Sequence, residues 1–483
     1  MSLKPLSLRT LAIVMIPGIL AVLFDTTIVA IALRTLAREL SSPLSTIQWV
    51  TTGYLLALGM VIPITGWLLR RVGGKRAWML AMTLFLLGSI GSAFAWSAAS
   101  LIGFRVLQGA GGGLMLPVMQ TLAVQAVGER GLGKATATIA LPAVLGPVLG
   151  PVLGGLIVDS ISWRWIFWVN VPLCLFSLVM AWRMLPDDRR DEESAHLDLV
   201  GLALVSPGIA ALLYGLSEVG THEGFGHPSV VVPIVVGVVL VAAFAVRALR
   251  SRTEPLVDLR LFRHSTFTAS TVLLFFSGFV LYGAMLVMPL YFQQVRGHDA
   301  LAAGLLLAPQ GLGSLLSRSV AGVLSDKYGP RWFVFGGLVI VALSTVPFAL
   351  ADAGTSEWLL AGALVVRGFG LGGVVIPLIA GAYQGLDRAD APHASILTRT
   401  AQQIGGAFGG AVLAVVLART SAASGPVSAF ETTFWWTIAF TAVAVLIAVF
   451  LPTRPREAEA PVAGSEPVAV AVGGDLPEKP EGH

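Results

Sequence analysis

The chain has 483 residues, 55% of them hydrophobic and only 12% charged, with a net charge of +4 and a mean hydropathy of +0.82. No single globular core hides that much apolar surface, so a lipid bilayer must cover the rest. The basic balance does not mark a nucleic-acid binder, because Lys and Arg sit in short clusters between apolar runs, the pattern of membrane loops. The single cysteine, Cys174, excludes an intramolecular disulfide. The seven histidines are scattered without an H-x-x-x-H pair, so no metal site and no cofactor are expected.

In chain order, the first apolar run is Leu11 to Leu33. It is longer than the core of a cleavable signal, about 7–15 residues, and contains Asp25, so it reads as a membrane span. A hydrocarbon core of about 30 Å needs about 20 residues of helix. Segments of that length and low charge fall at about 10–32, 47–69, 77–96, 100–123, 137–157 and 166–185. A charged break, Pro186 to His196, precedes two more at about 198–216 and 229–247. Six further spans follow at about 266–290, 301–322, 332–351, 358–380, 395–418 and 432–451. The long apolar runs exclude the alternating pattern of a membrane β-barrel. The expected architecture is all-α, with about fourteen transmembrane helices arranged six plus two plus six. Residues 1–185 form the N-terminal six-helix bundle, 186–265 a two-helix insert, 266–451 the C-terminal six-helix bundle and 452–483 a disordered tail rich in Pro, Glu, Gly and Ala.

The positive-inside rule orients the chain. With a cytoplasmic N-terminus, Arg70, Arg71, Lys75, Arg76, Arg130, Lys134, Arg189, Arg190, Arg250, Arg252, Arg260, Arg263, Lys327 and Arg331 all fall inside. The outside loops keep Arg34, Arg38, Arg164, Arg296 and Arg419. An odd number of spans would scramble this division, so both termini are placed on the cytoplasmic side.

The two large halves are related. Gly66-Trp67-Leu68 with Arg70-Arg71-Val72-Gly73 closes the second span, and Gly322-Val323-Leu324 with Asp326-Lys327-Tyr328-Gly329 closes its counterpart. Arg105 precedes Gly112, Gly113 and Pro117, as Arg367 precedes Gly372, Gly373 and Pro377. Paired six-helix repeats with a site between them are the layout of alternating-access carriers.

Asp25 is the only acid well inside a predicted span, Glu218, Asp352 and Glu357 lying at span ends. A carboxylate is expensive in hydrocarbon, which makes Asp25 a proton-binding candidate, with a structural acid paired to an Arg or hydroxyl as the alternative. Arg105 cannot shed its charge there and must find a counter-charge, or else clamp helices through carbonyls. Gly146-Pro147, Gly150-Pro151 and Gly154-Gly155 give the fifth span a smooth, kinked packing face. Trp49, Tyr54, Gln108 and Met115 are placed by span position as cavity-lining residues.

Phe24-Asp25-Thr26-Thr27-Ile28-Val29, Leu101 to Gly109, the Gly-Pro repeat of the fifth span, Trp163 to Pro172, and Arg399-Thr400-Ala401-Gln402-Gln403-Ile404-Gly405-Gly406 together resemble the major facilitator superfamily, specifically its fourteen-span drug:proton antiporters. The resemblance runs to about Leu451. It implies a secondary exporter coupled to protons, using no ATP, with Asp25 and Arg105 in proton coupling and Arg367 as a second-half counterpart. The Gly-Pro helix resembles the antiporter motif, which favours export over uptake. The cytoplasmic gate would be formed by Gly66, Arg70, Arg71 and Gly73 with Gly322, Asp326, Lys327, Gly329 and Arg331. One departure stands out, since Arg70 occupies the position where the superfamily motif has an Asp.

Two superficial nucleotide motifs fail. Gly128 to Lys134 has phosphate-loop spacing but is followed by Ala135 instead of Ser or Thr, and is read as an inter-span loop. Gly368, Gly370 and Gly373 lie within a membrane helix, where that spacing is a packing face. The expected cargo is a hydrophobic, amphipathic or cationic small molecule, as in multidrug or antibiotic efflux, with the bacterial inner membrane as the location. A lipid or hydrophobic native metabolite is the second candidate cargo, and a non-transporting membrane sensor is the reading from another class.

Overall fold

The computed structural model describes residues 8–139, 157, 161–186, 197–222, 224–251, 255–317, 330–352 and 354–451. All regular elements among them are helices: α1 (Leu8–Glu39), α2 (Leu44–Val61), α3 (Thr65–Val72), α4 (Gly74–Ala93), α5 (Ala98–Ile139), the short α6 (Trp165–Trp168) and α7 (Asn170–Met184). Then come α8 (Leu199–Thr221), α9 (Pro228–Arg250), α10 (Ser265–Gln294), α11 (Ala300–Leu306), α12 (Pro330–Ala349), α13 (Glu357–Ala382), α14 (Ala391–Ser424) and α15 (Pro426–Ala448).

Twelve stretches among the described residues are long and apolar enough to cross a bilayer. They coincide with twelve of the fourteen spans expected from the sequence. The helix at Ala302–Ser317 is apolar but shorter, because the predicted tenth span continues into residues 318–329, outside the described residues. Most of the predicted fifth span, with Gly146, Pro147, Gly150, Pro151, Gly154 and Gly155, also lies outside them. So do Gly322, Asp326, Lys327, Gly329 and the tail 452–483. One local expectation is overturned. The inter-span loop expected at Gly128 to Lys134 is instead the end of α5, which runs unbroken to Ile139; no proline interrupts the chain between Pro117 and Pro142.

Helix ends follow the local chemistry. Gly73 takes φ 82°, a left-handed conformation open to glycine, and so ends α3 and starts α4 in one residue. Gly425, at φ 83°, does the same between α14 and α15, with Pro426 at the first helical position. Asp198 caps α8 by accepting from the Gly201 N–H at 2.8 Å, and it also pairs with Arg247 near the end of α9 at 2.9 Å. Burial works against the Asp198 carboxylate, but those hydrogen bonds outweigh it and hold its pKa below the usual carboxylate range.

The helices interlock where glycine removes side-chain bulk. In the first half, a side chain at Gly113 would overlap the Leu58 carbonyl of α2. In the second, one at Gly372 would meet the Ser314 carbonyl of the 302–317 helix. The same contact thus recurs in both halves. Gly368 and Gly370 likewise stand against the carbonyls of Gln310 and Gly337, as expected of a packing face. The α8–α9 pair sits on the flank where the halves meet, with α8 packed on both α2 and α14. Its partner α9 turns Val232, Val235, Val238 and Val239 outward, as a lipid-facing helix must.

The tight α2–α5 contact predicts a pair of outcomes. Gly109→Val drives a side chain into the Tyr54 backbone and should cost about 1–3 kcal/mol, seen as a lower thermal midpoint in detergent. Gly103→Val, one and a half turns earlier on α5 and facing open space, should leave the midpoint unchanged.

Candidate functional site

Six elements of the first half, α1, α2, α4, α5, α6 and α7, gather around Asp25 and Arg105. Asp25 lies in the middle of α1 and is fully buried. From α5, Arg105 donates through Nη1 to Asp25 Oδ2 at 2.5 Å, and Gln108 donates through Nε2 to Oδ1 at 2.9 Å. From α7, Asn170 Nδ2 donates to the same Oδ1 at 3.3 Å. The Asn170 amide also donates to Ser89 Oγ of α4 at 3.1 Å, and Ser89 in turn donates to the Phe167 carbonyl at 2.9 Å. Each carboxylate oxygen therefore has a donor, as a buried anion requires.

Arg105 is held as fully as the acid. Its Nε donates to the Val50 carbonyl of α2 at 3.1 Å, Nη1 also donates to Gln108 Oε1 at 2.8 Å, and the guanidinium lies 4.1 Å from the Tyr54 ring centroid. Both sequence readings of Arg105 apply together, for it meets a counter-charge and clamps a carbonyl. Burying an ion pair costs desolvation energy that only good geometry and added hydrogen bonds offset; here the added bonds come from Gln108 on α5 itself and from two further helices, α2 and α7.

The second half repeats the arginine without the acid. Arg367 is fully buried on α13. It donates to Gln310 Oε1 at 2.8 Å, to the Val280 carbonyl of α10 at 3.3 Å and to Thr345 Oγ1 at 3.4 Å. Among the described residues its partners are all neutral dipoles, and the helix that stands where α1 does in the first half, α10, offers a carbonyl in place of a carboxylate.

A cavity of about 210 Å³ lies between the halves. Met115, Met119 and Gln120 of α5 line it with Val22 of α1, Tyr282 of α10, and Arg399 and Gln402 of α14. A second, mainly apolar pocket of about 510 Å³ lies among α2, α8, α10 and α14, and shares Tyr282. Of the four residues expected to line a cavity, Met115 does. Gln108 and Tyr54 are instead spent on the Asp25–Arg105 cluster. Trp49 is 42% exposed and stacks on Tyr214 of α8 at 5.6 Å. Trp49 and Tyr54 lie on α2 and Gln108 on α5, and the rotation of those helices aims the three side chains away from this cavity.

At the Arg70 end of the bundle the halves touch. Arg70 Nη1 lies 2.9 Å from His393 Nε2 at the start of α14, and Thr121 Oγ1 lies 3.4 Å from Ser395 Oγ. Gly66 packs beside Ile396 and Pro392. Arg70, which occupies the position of the motif's Asp, thus finds an imidazole. In the adjoining segment, burial and the nearby Asp387 and Asp258 push the Asp390 carboxyl upward, with His264 opposing. Arg71 stands beside Gly73 at the end of α3, and Arg331 opens α12 with its guanidinium 5.6 Å from the Trp332 ring centroid.

Residues 15–410 match the profile of the Major Facilitator Superfamily. The chain belongs to that family. It is therefore a multi-pass membrane transporter and not an enzyme. It is 35% identical over 410 residues to a multidrug resistance protein B homolog of Mycobacterium tuberculosis, covering 84% of this chain and 76% of that one. It is 30% identical over 391 residues to the lincomycin resistance protein LmrB of Bacillus subtilis, covering 81% of each. The solved structure of the proton:xylose symporter XylE superposes with a TM-score of 0.65 over 92% of this chain and 96% of that one, at 15% identity, a likeness of fold.

Reasoning from the sequence has Asn170 and Arg399 within stretches that carry the resemblance, but assigns neither of them, nor Ser89, to the site. Asn170 and Ser89 are neutral and carry no signal of rarity in a span. Arg399 carries one, as an arginine inside a predicted span.

The pair should behave as a unit. Asp25→Leu leaves Arg105 buried without its counter-charge and should cost about 3–5 kcal/mol, with much of the loss recovered in Asp25→Leu/Arg105→Met. Thermal unfolding of the two single variants and the double in detergent measures this coupling.

Proposed function

We propose that the chain is a proton-coupled exporter of hydrophobic, amphipathic or cationic small molecules, working by alternating access in a bacterial cytoplasmic membrane. The observation that carries this reading is a fully buried acid–base pair, Asp25 and Arg105, the only one among the described residues, set beside a cavity between two related halves. The names of the relatives, for multidrug and for lincomycin resistance, support export and drug-like cargo. The chain is read as bundles 1–185 and 266–451 around the insert 186–265, with both termini cytoplasmic and no ATP consumed.

In this mechanism Asp25 is the proton carrier. Ionised, it draws Arg105, Gln108 and Asn170 together and so joins α1 to α5 and α7. A proton arriving from outside removes the charge and weakens the bridge. Arg105 then stays supported by the Val50 carbonyl, Gln108 Oε1 and the Tyr54 ring, so its charge does not become unpartnered. Freed of the strong bond, α1 can shift relative to α5 as the halves rock. Release of the proton to the cytoplasm re-forms the bridge. The Arg70–His393 and Thr121–Ser395 contacts join the halves at the cytoplasmic end and must part for inward opening. Arg367, without a carboxylate, is assigned a fixed structural role in the second half. The large apolar pocket beside α8 favours a second reading of the cargo, a lipid or hydrophobic metabolite.

Inverted membrane vesicles test the central reading. With an imposed pH gradient, vesicles holding the wild type should accumulate members of a panel containing a cationic dye, a neutral lipophilic dye and a labelled lipid. Vesicles holding Asp25→Asn or Arg105→Ala at equal abundance should fall to the level of vesicles without the protein. Gradient-driven accumulation by either variant at the wild-type rate would contradict the proposal.

A further inference from the structure

The central cavity has a charge that the coupling pair does not use. Among the described residues that line it, the one charged side chain is Arg399. Asp25 is fully buried among its own partners and is not part of the wall. Arg399 is half-buried on α14, and its Nη1 donates to Gln402 Oε1 at 2.8 Å. That contact is one turn along its own helix and brings no negative charge.

A guanidinium keeps its proton under all physiological conditions. It offers five N–H donors in a planar fork, and Gln402 satisfies one direction of that fork. In a cavity walled by Met115, Met119, Leu371, Val375 and Ile376, poorly screened charge acts strongly. A cationic cargo entering there meets a like charge and no acid on the described wall. A carboxylate meets a matching two-pronged donor. The Gln120 side chain adds a second polar element: its Oε1, an acceptor, is buried without a hydrogen-bond partner, so it can take a hydrogen bond from a donor group on a ligand but not from the carboxylate itself.

The size of the space adds a further constraint. About 210 Å³ is below the usual range of ligand pockets, about 300–1,000 Å³. Tyr282 stands at the boundary with the adjoining apolar pocket of about 510 Å³, lined by Leu213, Leu216, Ala407 and Ala411. A ligand with a compact acidic head and a longer apolar body would place the head at Arg399 and extend past Tyr282 into that pocket. Methionine in the wall tolerates varied shapes.

We propose that this cavity selects amphipathic organic anions, with a carboxylate head on Arg399 and an apolar body running past Tyr282. The inference rests on the exporter reading for its biological sense and narrows its cargo, but it is a statement about binding and is tested as such.

Purified protein in lipid nanodiscs would be titrated with three probes: dansyl-labelled undecanoic acid, its methyl ester, and the analogue ending in trimethylammonium. The acid should bind about tenfold or more tightly than the ester, the scale of a hydrogen bond to a charged group, with the ammonium analogue weakest. Arg399→Gln should bring the acid down to the affinity of the ester while the affinity for the ester is kept; Arg399→Lys should keep part of the preference. Equal binding of acid and ester by the wild type, or an undiminished preference in Arg399→Gln, would overturn the proposal. If Arg399→Gln fails to assemble, the wild-type order of the three probes still decides. Selective binding of the acid without transport in vesicles would sink the exporter reading and leave this inference standing. Gradient-driven export of a cationic dye with no preference for the acid would do the reverse.

Discussion

Two opposite charges held in hydrocarbon, Asp25 and Arg105, set the terms for the first half of this protein. Each is costly to bury at that depth, and even together they need hydrogen-bond partners for the groups that the ion pair leaves over. That requirement explains why Gln108, Asn170, Ser89, the Val50 carbonyl and the Tyr54 ring are gathered at one point. It also explains why glycines at 109 and 113 bring α5 against α2. The close backbone approach that they allow is what puts Val50 and Tyr54 within reach of Arg105. Packing and electrostatics here are one constraint.

The second half shows the same scaffold with that constraint relaxed. Arg367 sits in the counterpart of Arg105, and Gly372 repeats the contact made by Gly113, yet the partners are Gln310, Thr345 and the Val280 carbonyl. Among the described residues, the partners of this cation are neutral dipoles and none of them titrates. The halves therefore differ in what they place in the membrane: the first holds a carboxylate against its arginine, and the second brings Arg399 of α14 to the cavity.

Much of this was legible in the residues. Apolar run length located twelve spans that the structure contains, because bilayer thickness fixes helix length. Asp25 and Arg105 stood out because charge is rare in spans. Their mutual contact is a tertiary fact across 80 positions of chain, although the need of each for a partner could be read beforehand. The rotation of each helix about its axis was not legible. Trp49, Tyr54 and Gln108 occupied plausible depths, but whether a side chain faces a cavity, a neighbour or lipid depends on packing that no local pattern encodes. The neutral members of the cluster, Asn170 and Ser89, were invisible for a related reason, since amides and hydroxyls are ordinary in spans and acquire meaning from what they touch. Arg70 shows the opposite case. The missing Asp was evident in the motif, and its replacement by a contact with His393 could be seen only once α3 and α14 were side by side.

The central claim is that Asp25 is the group that gains and loses the coupled proton. Infrared difference spectroscopy of the reconstituted protein, stepped between alkaline and acidic buffer, tests it most directly. A protonated carboxyl C=O stretching band should appear on acidification in the wild type, shift on exchange into heavy water, and be missing in Asp25→Asn with the other carboxyl bands unchanged. An identical band in Asp25→Asn, or no buried carboxyl band in the wild type at any pH at which transport occurs, would contradict the account.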